Sequence, residues 1–271
     1  MRVVQVGDIS IDPVMDGTGR FAPTDAYLSS GGGGTRGGRA EDWAPHRDLL
    51  DADGMLALAI GGFLVRTGDR VVLVDTGLGN LDTGAMKGGQ LLASLAGLGV
   101  RPDQVTDVVL THLHFDHVGW TTRKGAVVFE NATYRCDAHD WAHFVGPDPG
   151  ATRKLSPLES RLEPFEGSGP LLPGLDRLAA PGHTPGSTIL VVSSGDQRAM
   201  LLGDVVHCAV ELVDDEWAGM GDVDPALAQR TRVALAQELE GTDIPVAAAH
   251  FPDMAFGRLL RGQGRRSFVI G

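Results

Sequence analysis

Three histidines and an aspartate, His112, His114, Asp116 and His117, fall within six residues of one another in the block THLHFDHVGW. The apolar run VTDVVL leads straight into them, so the block stands at the end of a buried strand. Imidazole and carboxylate are the donors that a borderline divalent cation prefers. Side chains two apart on an extended segment point the same way, so His112 and His114 can converge on one ion. Asp116 and His117 can reach a second ion as the chain turns, and Gly119 permits that turn.

Three isolated pieces repeat this pattern: an apolar strand, a polar residue at its C-terminal end, then a turn. His183 lies in APGHTPGS, Asp204 in LLGDVVH and His250 in AAAHFP. Each alone is weak, because a single histidine at a strand end is more often a satisfied polar residue than a ligand. Together they describe how a sheet edge gathers a metal site from distant sequence.

The surrounding chain mixes short strands with a few helices. VVQVGDISIDPVMD reads as a hairpin turning at Gly7-Asp8, and GGFLVRTGDRVVLVDTG as two strands about Thr67-Gly68-Asp69. Leu91, Leu92, Leu95 and Leu98 mark a helix closed by Gly99, and RPDQV a helical turn starting at Pro102. Further strands are expected in AVVFE, ATYRC, STILVVSS and RAMLLGD. A later helix has Asp224 as N-cap, Pro225 at its first position and Gly241 past its end, and IPVAAA is expected as the final strand. Residues 18–53, with GGGGTRGG at their centre, show no period and read as a long loop near the active site. The glycine run lacks the lysine and the strand-to-helix frame of a phosphate cradle.

Composition narrows the partners. With 271 residues the chain suits one domain of a layered α/β fold. A formal charge of -12 disfavours nucleic acid and anionic membrane surfaces, and there is no apolar run long enough to span a bilayer. No secretory signal is visible at the start, and two cysteines, Cys136 and Cys208, make neither a disulfide framework nor a thiolate metal site. The expectation is a reduced, cytoplasmic protein acting on a small-molecule substrate.

The series H-x-H-x-D-H, G-H-T-P-G, G-D and a late histidine resembles the metallo-β-lactamase superfamily over nearly the whole chain. The resemblance implies a four-layer αββα sandwich over residues 1–271, with a metal site on one edge. It implies a first ion on His112, His114 and His183, a second on Asp116, His117 and His250, and Asp204 bridging both. Asp75, in VLVDTG, matches the family's early aspartate, which supports the site without binding metal. Zinc suits such donors, while iron, manganese or cobalt also fit. Two ions about 3.5–4 Å apart would share a water and lower its pKa, giving a hydroxide able to attack a carbonyl carbon or a phosphorus. Asp116 would orient that group and carry its proton.

Within the superfamily, THLHFDHVGW, GDVVHCAVEL, DVDPALAQRTR and AHFPDMAFG resemble the branch of acyl-homoserine lactonases and methyl-parathion-type hydrolases. A lactone, ester or phosphotriester is the implied substrate, and a homodimer is the oligomer the branch suggests. Two positions depart from the pattern. His207 stands where the lactonases carry a tyrosine that polarises the lactone carbonyl, and is a catalytic candidate because it can still donate a hydrogen bond. Ser187 replaces the last histidine of G-H-T-P-G-H. Trp120, directly after the metal block, and Phe251, beside the last ligand, are the substrate-binding candidates. His139 and His143, at i, i+4 spacing, read as a helix face near the site. A glyoxalase-type thioesterase or persulfide dioxygenase is the alternative on the same fold, and a non-catalytic ligand binder the third.

Overall fold

The computed structural model describes residues 3–28, 34–262 and 264–271. Alternation decides the layers. In the strand Arg70–Val74, Leu73 joins one apolar cluster while Val72 and Val74 join another; in Leu56–Thr67, Leu64 splits from Phe63 and Val65 in the same way. Period-two side chains on strands that are apolar on both faces require a sheet covered on both sides.

The first sheet is built from β1 (Val4–Val6), β2 (Ile9–Phe21), β3 (Leu56–Thr67), β4 (Arg70–Val74), β5 (Met86–Lys87) and β6 (Asp107–Val109). A small hairpin of β7 (Thr122–Arg123) and β8 (Ala126–Val127) precedes its last member, β9 (Thr133–Arg135). The second sheet runs in chain order through β10 (Gly169–Leu172), β11 (Leu175–Ala179), β12 (Thr188–Ser194), β13 (Gln197–Leu201), β14 (Val246–Ala247), β15 (Gly257–Arg261) and β16 (Arg266–Ile270). One apolar cluster takes side chains from both sheets, among them Ile11, Phe63 and Val74 from the first and Leu190, Val192 and Leu201 from the second. It is the central seam of the sandwich.

Helices cover the outer faces. On the first sheet, α2 (Leu91–Gly97) sets Leu91 and Leu95 against Leu64, Leu73 and Val108. On the second, α6 (Pro225–Leu239) sets Leu235, Ala236 and Leu239 against Ile189, Met200 and Val246. Asp224 caps α6 by accepting from Leu227 N, with Pro225 in the first turn and Gly241 left-handed beyond the end. This is the αββα metallo-β-lactamase architecture.

Two sequence expectations are corrected. The stretch 18–53 is not one loop: β2 continues to Phe21, and α1 (Pro23–Leu28) and a 3-10 helix (Ala40–Leu49) follow; residues 29–33 of that stretch lie outside the described residues. Their order comes from tertiary packing, because Tyr27, Trp43 and Trp217 meet at ring-centroid distances of 5.0–6.1 Å. IPVAAA is also not the last strand, since β15 and β16 extend the second sheet beyond it. These strands alternate only partly, and β16 is largely exposed.

Candidate metal centre

The loops after β4, β6, β11, β13 and β14 meet at one end of the sandwich. They bring together Asp75, the 112–117 block, His183, Asp204, His207 and His250. Buried carboxylates hold these loops. Asp75 accepts from Thr111 N and Thr111 Oγ1, both at 2.8 Å, and from His117 Nδ1 at 2.9 Å. Asp140, on α3 (Ala138–Phe144), accepts from Leu113 N, Thr184 Oγ1 and Gly186 N, tying the 112–117 block to the His183 turn. Burial pushes the Asp140 carboxyl up against those hydrogen bonds. Asp16 accepts from four backbone N–H groups, of Leu78, Gly79, Gly89 and Leu91, under the loop behind Asp75.

Four of the histidines, His112, His117, His183 and His250, share one arrangement, an outer ring nitrogen bonded to the scaffold and an inner one aimed at the centre. His117 Nδ1 donates to Asp75, His183 Nδ1 to Asp222 Oδ1 at 3.1 Å, and His250 Nδ1 to the carbonyl of Ala59 at 2.8 Å. Thr111 gives its hydroxyl hydrogen to Asp75, so its oxygen accepts from His112 Nδ1 at 3.1 Å. These bonds place the ring protons outside and leave the inner nitrogens as lone pairs.

Those lone pairs crowd together. His114 Nδ1 lies 3.1 Å from His112 Nε2 and 2.9 Å from His183 Nε2. A tetrahedral ion about 2.0–2.1 Å from each nitrogen would hold them about 3.4 Å apart. Asp204 Oδ2 lies 3.1 Å from His250 Nε2 and 3.7 Å from both His112 Nε2 and His183 Nε2, and its Oδ1 lies 3.1 Å from His117 Nε2. His117 Nε2 and Asp204 Oδ1 are buried without a hydrogen bond. Buried polar atoms in this state are costly unless something between them completes their bonding. The donors fall into groups that could each hold an ion: His112, His114 and His183; Asp116, His117 and His250; His112, His117 and Asp204; and His183, Asp204 and His207. The residues fit a pair of divalent cations.

Burial opposes charge on His117, His250 and His207, yet Asp204 raises all three above the ordinary imidazole value, so a cation would compete with a proton at their inner nitrogens. Burial opposes charge on Asp204, yet His117, His250, His207 and His112 around it hold its carboxyl well below the usual range. Burial and the neighbouring His183 push His114 down to about 3, keeping a neutral donor.

Other predicted residues have definite places. Phe251 is buried against Phe268 and lines a cavity of about 700 Å³ together with His207 and His250. Trp120 is a correction: it does not line the cavities beside the histidines. Backbone bonds from Gly119 N to Gly77 O and from Trp120 N to Thr76 O turn it inward, and its indole donates to Asp16 Oδ1 within the layer under α2. The wall position belongs to Phe115, which is 54% exposed. His139 is exposed and bonded to Asp137, the His143 ring meets that of Phe144 edge-on, and Ser187 Oγ accepts from Thr184 N. Cys208 is buried and its thiol is raised to about 12, a packing residue.

Sequence reasoning missed the outer supports. Asp222 holds His183 and also pairs with Arg232 at 2.9 Å, both side chains being shut off from solvent. Burial works against the Asp222 charge, but His183 and Arg232 keep its carboxyl below the usual range. Arg232 carried a legible signal, since it sits on the buried stripe Ala228, Arg232, Leu235, Ala236 and Leu239 of α6, where a charge demands a partner. Glu211, buried on α5 (Val210–Val213), accepts from Tyr27 at 2.6 Å and from the backbone of His207 at 3.2 Å; no local pattern announces it.

The family described as the metallo-beta-lactamase superfamily matches residues 62–246. The chain belongs to that superfamily and is a metal-dependent hydrolase within it. Several of its relatives are N-acyl homoserine lactonases. N-acyl homoserine lactonase AiiA of Bacillus thuringiensis subsp. kurstaki is 27% identical over 192 residues, 64% of this chain and 74% of that protein. Metallo-beta-lactamase domain-containing protein 1 of Homo sapiens is 33% identical over 163 residues, 59% of this chain and 52% of that one. In three dimensions the chain is similar to AidC, a dizinc quorum-quenching lactonase solved with a product. The TM-score is 0.87 at 24% identity, covering 100% of this chain and 97% of AidC. AbOPH, a hydrolase in the beta lactamase superfamily, gives a TM-score of 0.85 at 23% identity, covering 99% of this chain and 96% of that one. No helix among the described residues is long and apolar enough to cross a membrane.

Proposed function

We propose that the protein opens a lactone ring, or cleaves a comparable ester, on a small molecule with an apolar substituent, using two divalent ions, zinc first among them. The observation that carries this reading is the setting of the donor cluster. His114, Asp116, His183, Asp204, His207 and His250 border a cavity of about 350 Å³ whose other walls are apolar, with Phe21, Leu58, Ile60, Met86, Phe115 and Met220 among them. An acyl chain suits such walls, and a polar carbonyl suits the side that carries the donors. The acyl-homoserine lactonases among the relatives act on molecules of that kind.

In this reading His112, His114 and His183 hold one ion, Asp116, His117 and His250 the other, and Asp204 reaches both. The bound ions would supply Lewis acidity and a water of lowered pKa. The protein does the rest. Asp116 lies at the cavity with Oδ2 3.5 Å from His250 Nε2, keeping carboxylate capacity to orient the attacking water, accept its proton and deliver it to the leaving oxygen. Asp75, Thr111, Asp222 and the Ala59 carbonyl fix the imidazoles in the protonation state that binds. The apolar walls exclude bulk water around the scissile group. A single domain over residues 1–271 is sufficient for this chemistry.

Proton release at constant pH tests the reading, with γ-lactones of several acyl lengths, aryl esters, a phosphotriester and a thioester, each with and without chelator. Chelator-sensitive lactone turnover that improves with acyl length is expected. Turnover of the thioester alone would replace the reading with a glyoxalase-type one, and no turnover by metal-loaded protein would make it a ligand binder.

A further inference from the structure

His207 has the same surroundings as the histidines that form the cluster. It is 4% exposed, like His250 and close to His183 at 3%. Its inner nitrogen, Nε2, lies 3.4 Å from Asp204 Oδ2, and its outer nitrogen, Nδ1, faces Glu211 Oε1 at 3.6 Å. His117 and His183 repeat this order of acceptor, ring and centre with hydrogen bonds to Asp75 and Asp222, whereas the Glu211 carboxylate stands just beyond hydrogen-bond distance of the buried His207 Nδ1. The ring of His207 lies parallel to that of His250, at 4° and 5.7 Å, and 4.9 Å from that of His183. Its donor atom falls within 4.8 Å of those of His183 and Asp204. Glu211 is itself fixed, because its carboxylate also accepts from Tyr27 and from the backbone N–H groups of His207 and Cys208. The ring borders the cavity, as those of His183 and His250 do, and its inner nitrogen faces the shared carboxylate. Here the ring is buried edge-on to the shared carboxylate, with a carboxylate behind it, which is the arrangement of a metal-ligating imidazole.

We infer that His207 is a metal donor, bound to the ion that His183 and Asp204 share, with Glu211 as the carboxylate that orients it. The inference rests on the cluster being a metal centre and replaces the hydrogen-bonding role that the sequence suggested for His207. With His112 and His114, it raises the protein donors available to that ion to five. Five donors exceed the four of a closed tetrahedral site and call for five- or six-coordinate geometry at that ion.

The test uses full-length protein stripped of metal and reloaded with cobalt(II). Visible d–d bands of cobalt weaken as coordination rises from four to six, and each bound imidazole contributes a hyperfine-shifted N–H resonance. The wild-type protein is expected to show weak bands and six such resonances, for His112, His114, His117, His183, His207 and His250. His207→Gln is expected to intensify the bands, remove one resonance and weaken zinc binding about 10- to 100-fold in chelator competition. Glu211→Gln should keep the resonance count and weaken binding by about 10-fold or less. Five resonances in the wild type, or a His207→Gln spectrum and affinity equal to wild type, would overturn the inference. The wild-type count decides the matter even if the variant fails to fold. These readouts follow metal binding and not lactone turnover, so failure here and failure of the proposed reaction are separable.

Discussion

The two sheets contribute to the centre in opposite ways. The first delivers His112, His114, Asp116 and His117 from one short segment after β6, braced by Asp75 on the neighbouring strand end. The second delivers His183, Asp204, His207 and His250 from separate loops, braced by Asp222, Glu211 and a backbone carbonyl of the first sheet. The first half of the site is therefore a local motif that needs one carboxylate to set it. The second exists only once the sheet has formed, and its supports come from helices, Arg232 from α6 and Glu211 from α5. The difference predicts that support of the second half is bound up with global stability, whereas support of the first is mainly a matter of metal binding.

The largest effect is expected at the residue common to both halves. Asp204→Asn should lower kcat/KM on the proposed substrate on the order of 10³-fold, about 4 kcal/mol of barrier, and reduce bound metal in elemental analysis; unchanged turnover would remove Asp204 from the centre. Asp222→Ala comes next. It frees His183 and leaves Arg232 buried without its carboxylate, so denaturant unfolding should show a loss of about 3–5 kcal/mol, alongside metal binding weaker by about 10- to 100-fold. Asp75→Asn should match that loss of metal affinity while costing less stability, about 1–3 kcal/mol, because its partners are a backbone N–H, a hydroxyl and an imidazole and include no permanently charged guanidinium. Equal stability losses in the two variants would break the contrast between the halves. Smallest is Trp120→Phe, which removes one donor from Asp16 while Gly89 N and Leu91 N remain on the same oxygen. A cost of about 1 kcal/mol with unchanged kcat/KM is expected; a rise in KM would return Trp120 to the substrate wall.

The same contrast explains what the sequence disclosed. Donor residues carry a chemical type and a position at a strand end, so His183, Asp204 and His250 could be found by sharing the pattern of the 112–117 block. The layers were legible because strands such as β4 are apolar on both faces and α6 has a cap, a first-turn proline and a closing glycine. Supports were not legible, because Asp222 acts on a histidine 39 residues away and Glu211 is fixed by Tyr27, 184 residues away, partners that only the fold brings near. The segment 18–53 failed for a related reason: its helices are ordered by Trp43 and Trp217 packing on Tyr27, which leaves no period to read. Trp120 failed because sequence proximity to the block says nothing about which way the chain turns after Gly119.

The proposed reaction requires donors from the two sheets to form one dinuclear centre. The most direct measurement is a zinc titration of chelator-stripped protein while acyl-lactone opening is followed by proton release. The account predicts negligible turnover at zero metal, rising until two equivalents per chain are bound. Turnover independent of metal, or complete at a single equivalent, would contradict it.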